Sequence, residues 1–556
     1  MLKTRVAVSV LVMCVMAGAQ QKAAPKAPAV VPPAAQAAMD SVKEHHIRQH
    51  VRFLSHDLLE GRGTGQRGGD VAAEYIATQF GLYGMKPAGD NGTFMQKVPL
   101  VGLTTSPEST FALVPNSGEP MKLAFKDEWV AYNETLNDRA EIDAEIVWAG
   151  YGIKAPEYNW DDFKGVDVKG KVLLLLVNEP PSTDDKFFKG KALTYYGRWT
   201  YKYENAARHG AAGVILIHRT DMASYGWDVV RNSNSGERAY IRDDQPKVQS
   251  AGWIQLAVAE KLTKAVGMDL NKMFEEAKSR DFKPRPIGAK LRATILSKAR
   301  PMESSNVVGM IPGSDPKLKD EAIIFTSHYD HLGIRADVKG DNIYNGAQDN
   351  ATGTAMLLEM AHAFSHAKVK PKRTLIFAAV TAEEQGLRGS EYLGQKPPIA
   401  ASRISLNLNF DSIAPLGEAE EVVALGSDRN DFHPALVKIA TGMGLSVQGD
   451  LHPERGSYYR SDHFSFARVG VPSISFKEGN KFTGKPATWG EQQSQEYNSK
   501  RYHQPSDQFD PAMDFRTNVK LTKLGIALGW KAADQPKSVE WLAGDEFEAA
   551  RKASRK

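Results

Sequence analysis

The sequence predicts an α/β protein with a mixed, mainly parallel central sheet flanked by helices, together with a β-rich insert. Three observations predict it. After about residue 306, apolar runs of strand length alternate with helical patterns. Several of those runs end abruptly in acidic or imidazole side chains, the usual place for ligands in open α/β sheets. Between 106 and 299 the pattern changes to short strand-like runs separated by turns.

At 556 residues the chain is too long for one ordinary core, so more than one domain is expected. Its 42% hydrophobic and 24% charged residues are the composition of a globular protein, and a net charge of +4 gives no reason to expect a nucleic-acid partner. Residues 1–19 combine Lys3 and Arg5, an apolar run over 6–16 and the small-residue end Ala17-Gly18-Ala19, the signature of a secretory signal peptide. That run is too short to span a membrane, no other is long enough, and export to a periplasm or the medium is expected. Cys14, the one cysteine, lies inside the run, and bulky Met13 before it argues against a lipid anchor. The mature chain would then have neither disulfides nor a thiol nucleophile.

Residues 20–39, rich in Ala, Pro and Lys, read as a flexible tether, and helical order is expected from Asp40-Ser41 onward, with Ile47, Val51, Leu54 and Leu58 at helical spacing. His45, His46, His50 and His56 on or beside that helix read as solvated surface histidines. Gly61-Arg62-Gly63-Thr64-Gly65 lacks the ending of a phosphate loop and reads as a connection to a second helix from about Gly69. In the β-like section the clearest strands are 146–152, 171–177 and 213–217. Later strands are expected at 323–326, 374–380, 406–410, 421–425 and 473–476.

The polar residues at those later strand ends carry the chemistry. His328, Asp330 and His331 follow the first; Asp349-Asn350 precede a helix that Thr352 or Thr354 could cap. Glu383-Glu384 follow 374–380, and two adjacent carboxylates are costly unless solvated, protonated or bound to a cation. Asp411 follows 406–410, and His503 stands before a late turn. Two imidazoles and several carboxylates without thiolates suit zinc, with cobalt or manganese as alternatives, and leave a carboxylate over to act as base.

The series Ser-His-Tyr-Asp-His (327–331), Asp-Asn-Ala-Thr-Gly (349–353), Thr-Ala-Glu-Glu-Gln-Gly (381–386), Asn-Phe-Asp (409–411) and Tyr-His-Gln-Pro-Ser-Asp (502–507) resembles the cocatalytic zinc peptidases of clan MH, the group of aminopeptidases S and Y and the glutamate carboxypeptidases. The resemblance implies that fold for 300–535, with 40–105 as its amino-terminal helical part and 536–556 as a tail. Trp-Ala-Gly-Tyr-Gly (148–152), Val-Lys-Gly-Lys-Val-Leu-Leu (168–174) and the Gly-Ala-Ala-Gly-Val-Ile run (210–215) resemble the protease-associated domain, a noncatalytic insert that would span 106–299.

Carried over by motif, the resemblance implies two zinc ions: His328 and Asp411 on one, Glu384 and His503 on the other, and Asp349 bridging. Glu383 would be the general base, and the Tyr502 hydroxyl would help hold the oxyanion. Asp330 would orient the His328 ring, Asp462 and His463 would lie behind the metal ligands or in the substrate pocket, and His331 is read as a neighbour. The implied activity is that of a secreted aminopeptidase acting on peptides with a free amino terminus through a dimetal-bound hydroxide. Its alternatives are a carboxypeptidase of the glutamate carboxypeptidase type, for which Arg455, Arg460 or Lys477 would supply basic groups, a glutaminyl cyclase-like enzyme, and a noncatalytic receptor-like protein. The polar stretch 478–500 is expected to be a loop walling the cleft. Oligomeric state is left open.

Overall fold

The computed structural model describes residues 31–223, 225–234, 236–335 and 338–555; the expected signal peptide and residues 20–30 of the expected tether lie outside them. The chain enters through helices α1 (Pro33–Ser41), α2 (Glu44–Leu54) and α3 (Arg67–Leu82). α1 corrects the expected tether. Pro33 presets the first turn, alanines propagate it, and Ala35, Ala38 and Met39 are buried in the main core. The expected helix start at Asp40-Ser41 is instead the end of α1, and the break before α2 falls at Val42 and Lys43, which are extended.

The β-rich region contains β1 (Met95–Thr105), β2 (Thr110–Pro115), β3 (Arg139–Trp148), β4 (Val172–Leu176), β5 (Gly213–His218) and β6 (Ser250–Gln255). β4 lies parallel to β3 and β5, and β5 parallel to β6. Trp129, Trp148, Ile215 and Leu291 sit in a core drawn wholly from this region, while α4 (Trp199–Arg208) covers the other face with Tyr203, Ala206 and Ala207. The long strand β7 (Arg285–Ile311) pairs first with β2 and β3, then with β1.

β7 continues into a second strand system of β8 (Ala322–His328), β9 (Thr374–Val380), β10 (Ile404–Phe410), β11 (Glu421–Leu425) and β12 (Ser473–Glu478). Its spatial order is β7–β9–β8–β10–β12–β11: the four inner strands are parallel, and β7 and β11 are antiparallel to them. Alternate side chains feed opposite cores. Ile323, Phe325 and Phe377 face α5 (Thr352–His366), whereas Ile324, Ile376 and Val380 pack against Leu393 of α6 (Arg388–Gln395) and Phe466 of α7 (His463–Arg468). Burial on both faces explains why the strands read as near-continuous apolar runs.

α8 (Trp489–Lys500) occupies the second half of the stretch expected to be a loop, so that stretch is half helical. α9 (Arg516–Asp534) lies close on the sheet through Gly525 and Gly529: a Cβ at Gly529 would come 2.3 Å from the Phe325 ring. The expected carboxy-terminal tail is docked as well. Val539, Trp541 and Phe547 are buried, and Arg551 of α10 (Glu548–Ser554) donates to the Ala401 and Ile404 carbonyls. Aromatic burial and the two carbonyl contacts of Arg551 Nη1 give this segment contacts that offset the cost of ordering it. Among the described residues no helix is long and apolar enough to cross a membrane.

Candidate active site

β8, the central strand, ends at His328, which is 1% exposed. Its neighbours β9 and β10 deliver Glu383-Glu384 and Asp411 beside it, because parallel strands in register end on the same edge. Asp349 arrives from the turn into α5, and its carboxylate divides between two rings. Oδ1 lies 3.3 Å from His328 Nε2, and Oδ2 lies 3.4 Å from His503 Nε2. His328 Nε2 is also 3.2 Å from Asp411 Oδ1, and His503 Nε2 is 3.0 Å from Glu384 Oε2. Two donor groups therefore share one carboxylate, with His328 and Asp411 on one side and Glu384 and His503 on the other.

The residues that hold these groups come from distant segments. Asp507 accepts the backbone N–H groups of Gln348 and Asp349 at 3.0 Å each and a hydroxyl from Tyr497 of α8 at 3.2 Å. Ser412 Oγ donates to Asp349 Oδ1 and Asp411 Oδ1 at 3.0 and 2.9 Å, and Ser461 Oγ donates to Asp411 Oδ2 at 2.6 Å. Neither Thr352 nor Thr354 caps α5. Their hydroxyls donate to the Gln348 and His328 carbonyls, and the Asn350 Oδ1 accepts from the Gly353 N–H in their stead.

Asp330 meets the other ring nitrogen of His328, as expected, and it does so through its main chain. The His328 Nδ1 faces the Asp330 backbone carbonyl at 3.1 Å, and the Asp330 carboxylate accepts the Glu383 N–H at 3.1 Å and a Thr64 hydroxyl at 3.1 Å. It thus orients the imidazole through the main chain and anchors the Glu383-Glu384 turn through the side chain. His331 Nδ1 stands 2.6 Å from Glu384 Oε1, and its ring lies edge-on to that of His503 at 5.7 Å. Asp462 and His463 are fully buried behind Asp411, the His463 ring edge-on to Tyr458 at 4.6 Å. The Tyr502 ring stacks on His503 at 3.9 Å. Arg455 is mostly exposed and ion-pairs with its neighbour Glu454, and Lys477 is exposed.

Arg62 is a support that the glycine-rich pattern hid. It is fully buried and donates to the carbonyls of Leu54, Tyr329, Asn345 and Gly346, tying the amino-terminal helices to both loops of the site. Gly61 before it lies at φ +68°, and a Cβ there would meet the Tyr344 carbonyl oxygen at 2.5 Å. A charged residue between glycines is the one signal that could have flagged it.

Ala382, Ser412 and His503 all lie in the left-handed region, at φ +54°, +54° and +56°. Each costs about 1 kcal/mol or more, and such strain persists only where the surroundings impose it. All three sit at or beside the proposed ligands.

The electrostatics test whether this cage suits a cation. Six carboxylates, Asp330, Asp349, Glu383, Glu384, Asp411 and Asp462, crowd around His328, His331 and His503 in a largely buried space. Burial pushes the Glu384 carboxyl up, but the charges of His503 and His331 hold it down to about 2. Asp349 is pulled well below its ordinary value against the same burial, by hydrogen bonds from both His328 and His503. The two rings rise well above the ordinary imidazole value despite burial, because carboxylates face them. Glu383 goes the other way, raised well above the carboxylate range by burial and by Glu384 and Asp411. Such an excess of buried negative charge calls for a divalent cation, and the imidazole-carboxylate donor set matches zinc.

Residues 306–525 match peptidase family M28. They form an M28 peptidase domain. Two curated relatives are a probable zinc metalloprotease of Pyrenophora tritici-repentis, 26% identical over 272 residues, 42% of this chain and 53% of that protein, and leupeptin-inactivating enzyme 1 of Streptomyces exfoliatus, 29% identical over 223 residues, 39% of this chain and 45% of that protein. The chain spans about half the length of the curated relatives it matches. The aminopeptidase from Aneurinibacillus sp. strain AM-1 is a structural neighbour at TM-score 0.50 and 20% identity, covering 92% of this chain and 98% of that one, so the likeness extends through the β-rich region that precedes the M28 domain.

Proposed function

We propose that this chain is a zinc aminopeptidase that removes residues from the free amino end of peptides, with His328, Asp349, Glu384, Asp411 and His503 as the residues that would hold two zinc ions. The observation that carries the reading is the divided Asp349 carboxylate, one oxygen toward each imidazole, with Glu383 close to His328 and Glu384. Zinc held by His328, Asp411, Glu384 and His503 would supply Lewis acidity toward a peptide carbonyl and would lower the pKa of a water. Glu383, which neighbours Glu384 and lies close to His328, takes a proton from the attacking water at its side-chain oxygen and hands it to the departing amine. Tyr502 beside His503 offers its hydroxyl to the developing oxyanion. The surrounding carboxylates favour a substrate ammonium group over a carboxylate, and the exposed Arg455 and Lys477 offer no built carboxylate pocket. The names of the structural neighbour and the curated relatives support a zinc-dependent peptidase.

The β-rich region, read as a protease-associated insert, walls the cleft in this proposal. The Ala239 N–H donates to Gln385, directly after the Glu383-Glu384 pair, and Tyr195 packs on Phe464 at 5.0 Å. The signal-like residues 1–19 support export to a periplasm or the medium. Metal content measured alongside hydrolysis of aminoacyl and N-blocked peptides, before and after chelation, tests the reading. About two zinc per chain and chelator-sensitive cleavage of unblocked substrates only is the expected result. Glu383→Gln should keep the zinc and lose about 10²–10⁴-fold in turnover; retained turnover removes Glu383 from its role.

A further inference from the structure

A second histidine-carboxylate cluster lies at the far end of α5. Glu359 and His362 are three residues apart and His362 and His366 four apart, so all three fall on one side of the helix. That side meets α2, which brings His46. Glu359 is 1% exposed; its Oε1 accepts the Lys43 N–H at 2.7 Å, and its Oε2 lies 3.0 Å from His46 Nδ1. The His46 and His362 rings stand nearly perpendicular with centroids 5.6 Å apart, and Tyr83 closes the group at 5.1 Å from His362. One donor atom from each of His46, Glu359 and His362 falls within 4.8 Å of the others. The His362 Nδ1 is buried and has no hydrogen-bond partner. The four surface histidines expected here are therefore not all solvated: His46 is paired, and His50 is buried and meets the Tyr75 hydroxyl at 2.8 Å.

Two imidazoles and one carboxylate, half open to water, are the three-ligand arrangement that a zinc-type ion accepts with its fourth position to solvent. At 1.5 Å per residue, His362 is about 15 Å along α5 from Thr352, beyond the reach of the Asp349 site.

We propose that His46, Glu359 and His362 form a separate site for a divalent transition-metal ion of the zinc type, which staples α2 to α5. His366, whose ring lies 4.3 Å from that of His362, is placed to join it. This inference does not depend on the peptidase reading.

The test strips the full-length protein with a chelator, reloads it with zinc and counts the bound metal. His46→Gln/His362→Gln should hold about one zinc fewer than the parent and lose the extra zinc-induced rise in Tm, with cleavage of unblocked peptides unchanged. An unchanged count overturns the proposal. A second comparison uses Glu384→Gln/His503→Gln, where the strand-end cage is disabled. Zinc retained there should disappear when His362→Gln is added, and zinc that persists, or none to lose, also overturns it. If the first pair of substitutions unfolds the chain by circular dichroism, this second comparison decides.

Discussion

The two ends of helix α5 carry two clusters of similar chemistry and opposite construction. At its amino end, Asp349 meets residues from three parallel strands and a late turn, largely buried and held by other side chains at almost every oxygen. At its carboxyl end, Glu359, His362 and His366 are neighbours by helical periodicity and need one partner from α2. The first cluster is assembled by the sheet; the second is written on one helix. A site built from many segments is rigid and announces itself by motif order, whereas a local one is cheap to make and looks like ordinary surface histidines.

The sharpest way to break this comparison is Asp349→Ala. Because both halves of the cage share this carboxylate, turnover should fall by more than about 10³-fold and metal should be lost from both positions. A variant that keeps one full equivalent with substantial turnover would mean the halves are independent. Next is Arg62→Met, which strips the donor from four buried carbonyls and should destabilise the fold by about 3–5 kcal/mol in denaturant titration. Its effect should spread to the strand-end site, since two of those carbonyls lie in the Asn345-Gly346 loop, and a loss under about 1 kcal/mol would show that the loop holds itself. His331→Ala removes the group fixing Glu384 and should weaken zinc affinity by about 10–100-fold while sparing the fold. Competition with a chromogenic chelator measures it. The smallest effect belongs to the other end. Glu359→Ala leaves the Lys43 N–H at the start of α2 without its acceptor, and stability should fall by about 1 kcal/mol with kcat/KM unchanged.

Much of the strand-end site was legible because its parts are local signals. A buried strand that stops at His328, Glu383 or Asp411 declares itself through the change from apolar to polar side chains. What escaped was the scaffolding. Ser412 and Ser461 are unremarkable in sequence, yet their hydroxyls fix Asp349 and Asp411. Asp507 stood in a recognised motif without a role, and its role is to hold the Asp349 backbone from 158 positions away. Asp330 was legible as the group that orients the His328 ring, but the turn geometry decides that its main-chain carbonyl makes the contact.

The sequence by itself determined the alternation of strands and helices, the residues at the strand ends and the character of the chemistry, because side-chain period and the solvation of charge act over a few residues. Only the tertiary structure decided which oxygen of Asp349 faces which ring, that Pro33 begins a helix and Trp541 is docked, and that His46 meets Glu359. Those contacts join residues up to 313 positions apart, as His46 and Glu359 are, and the packing of whole helices on the sheet sets them.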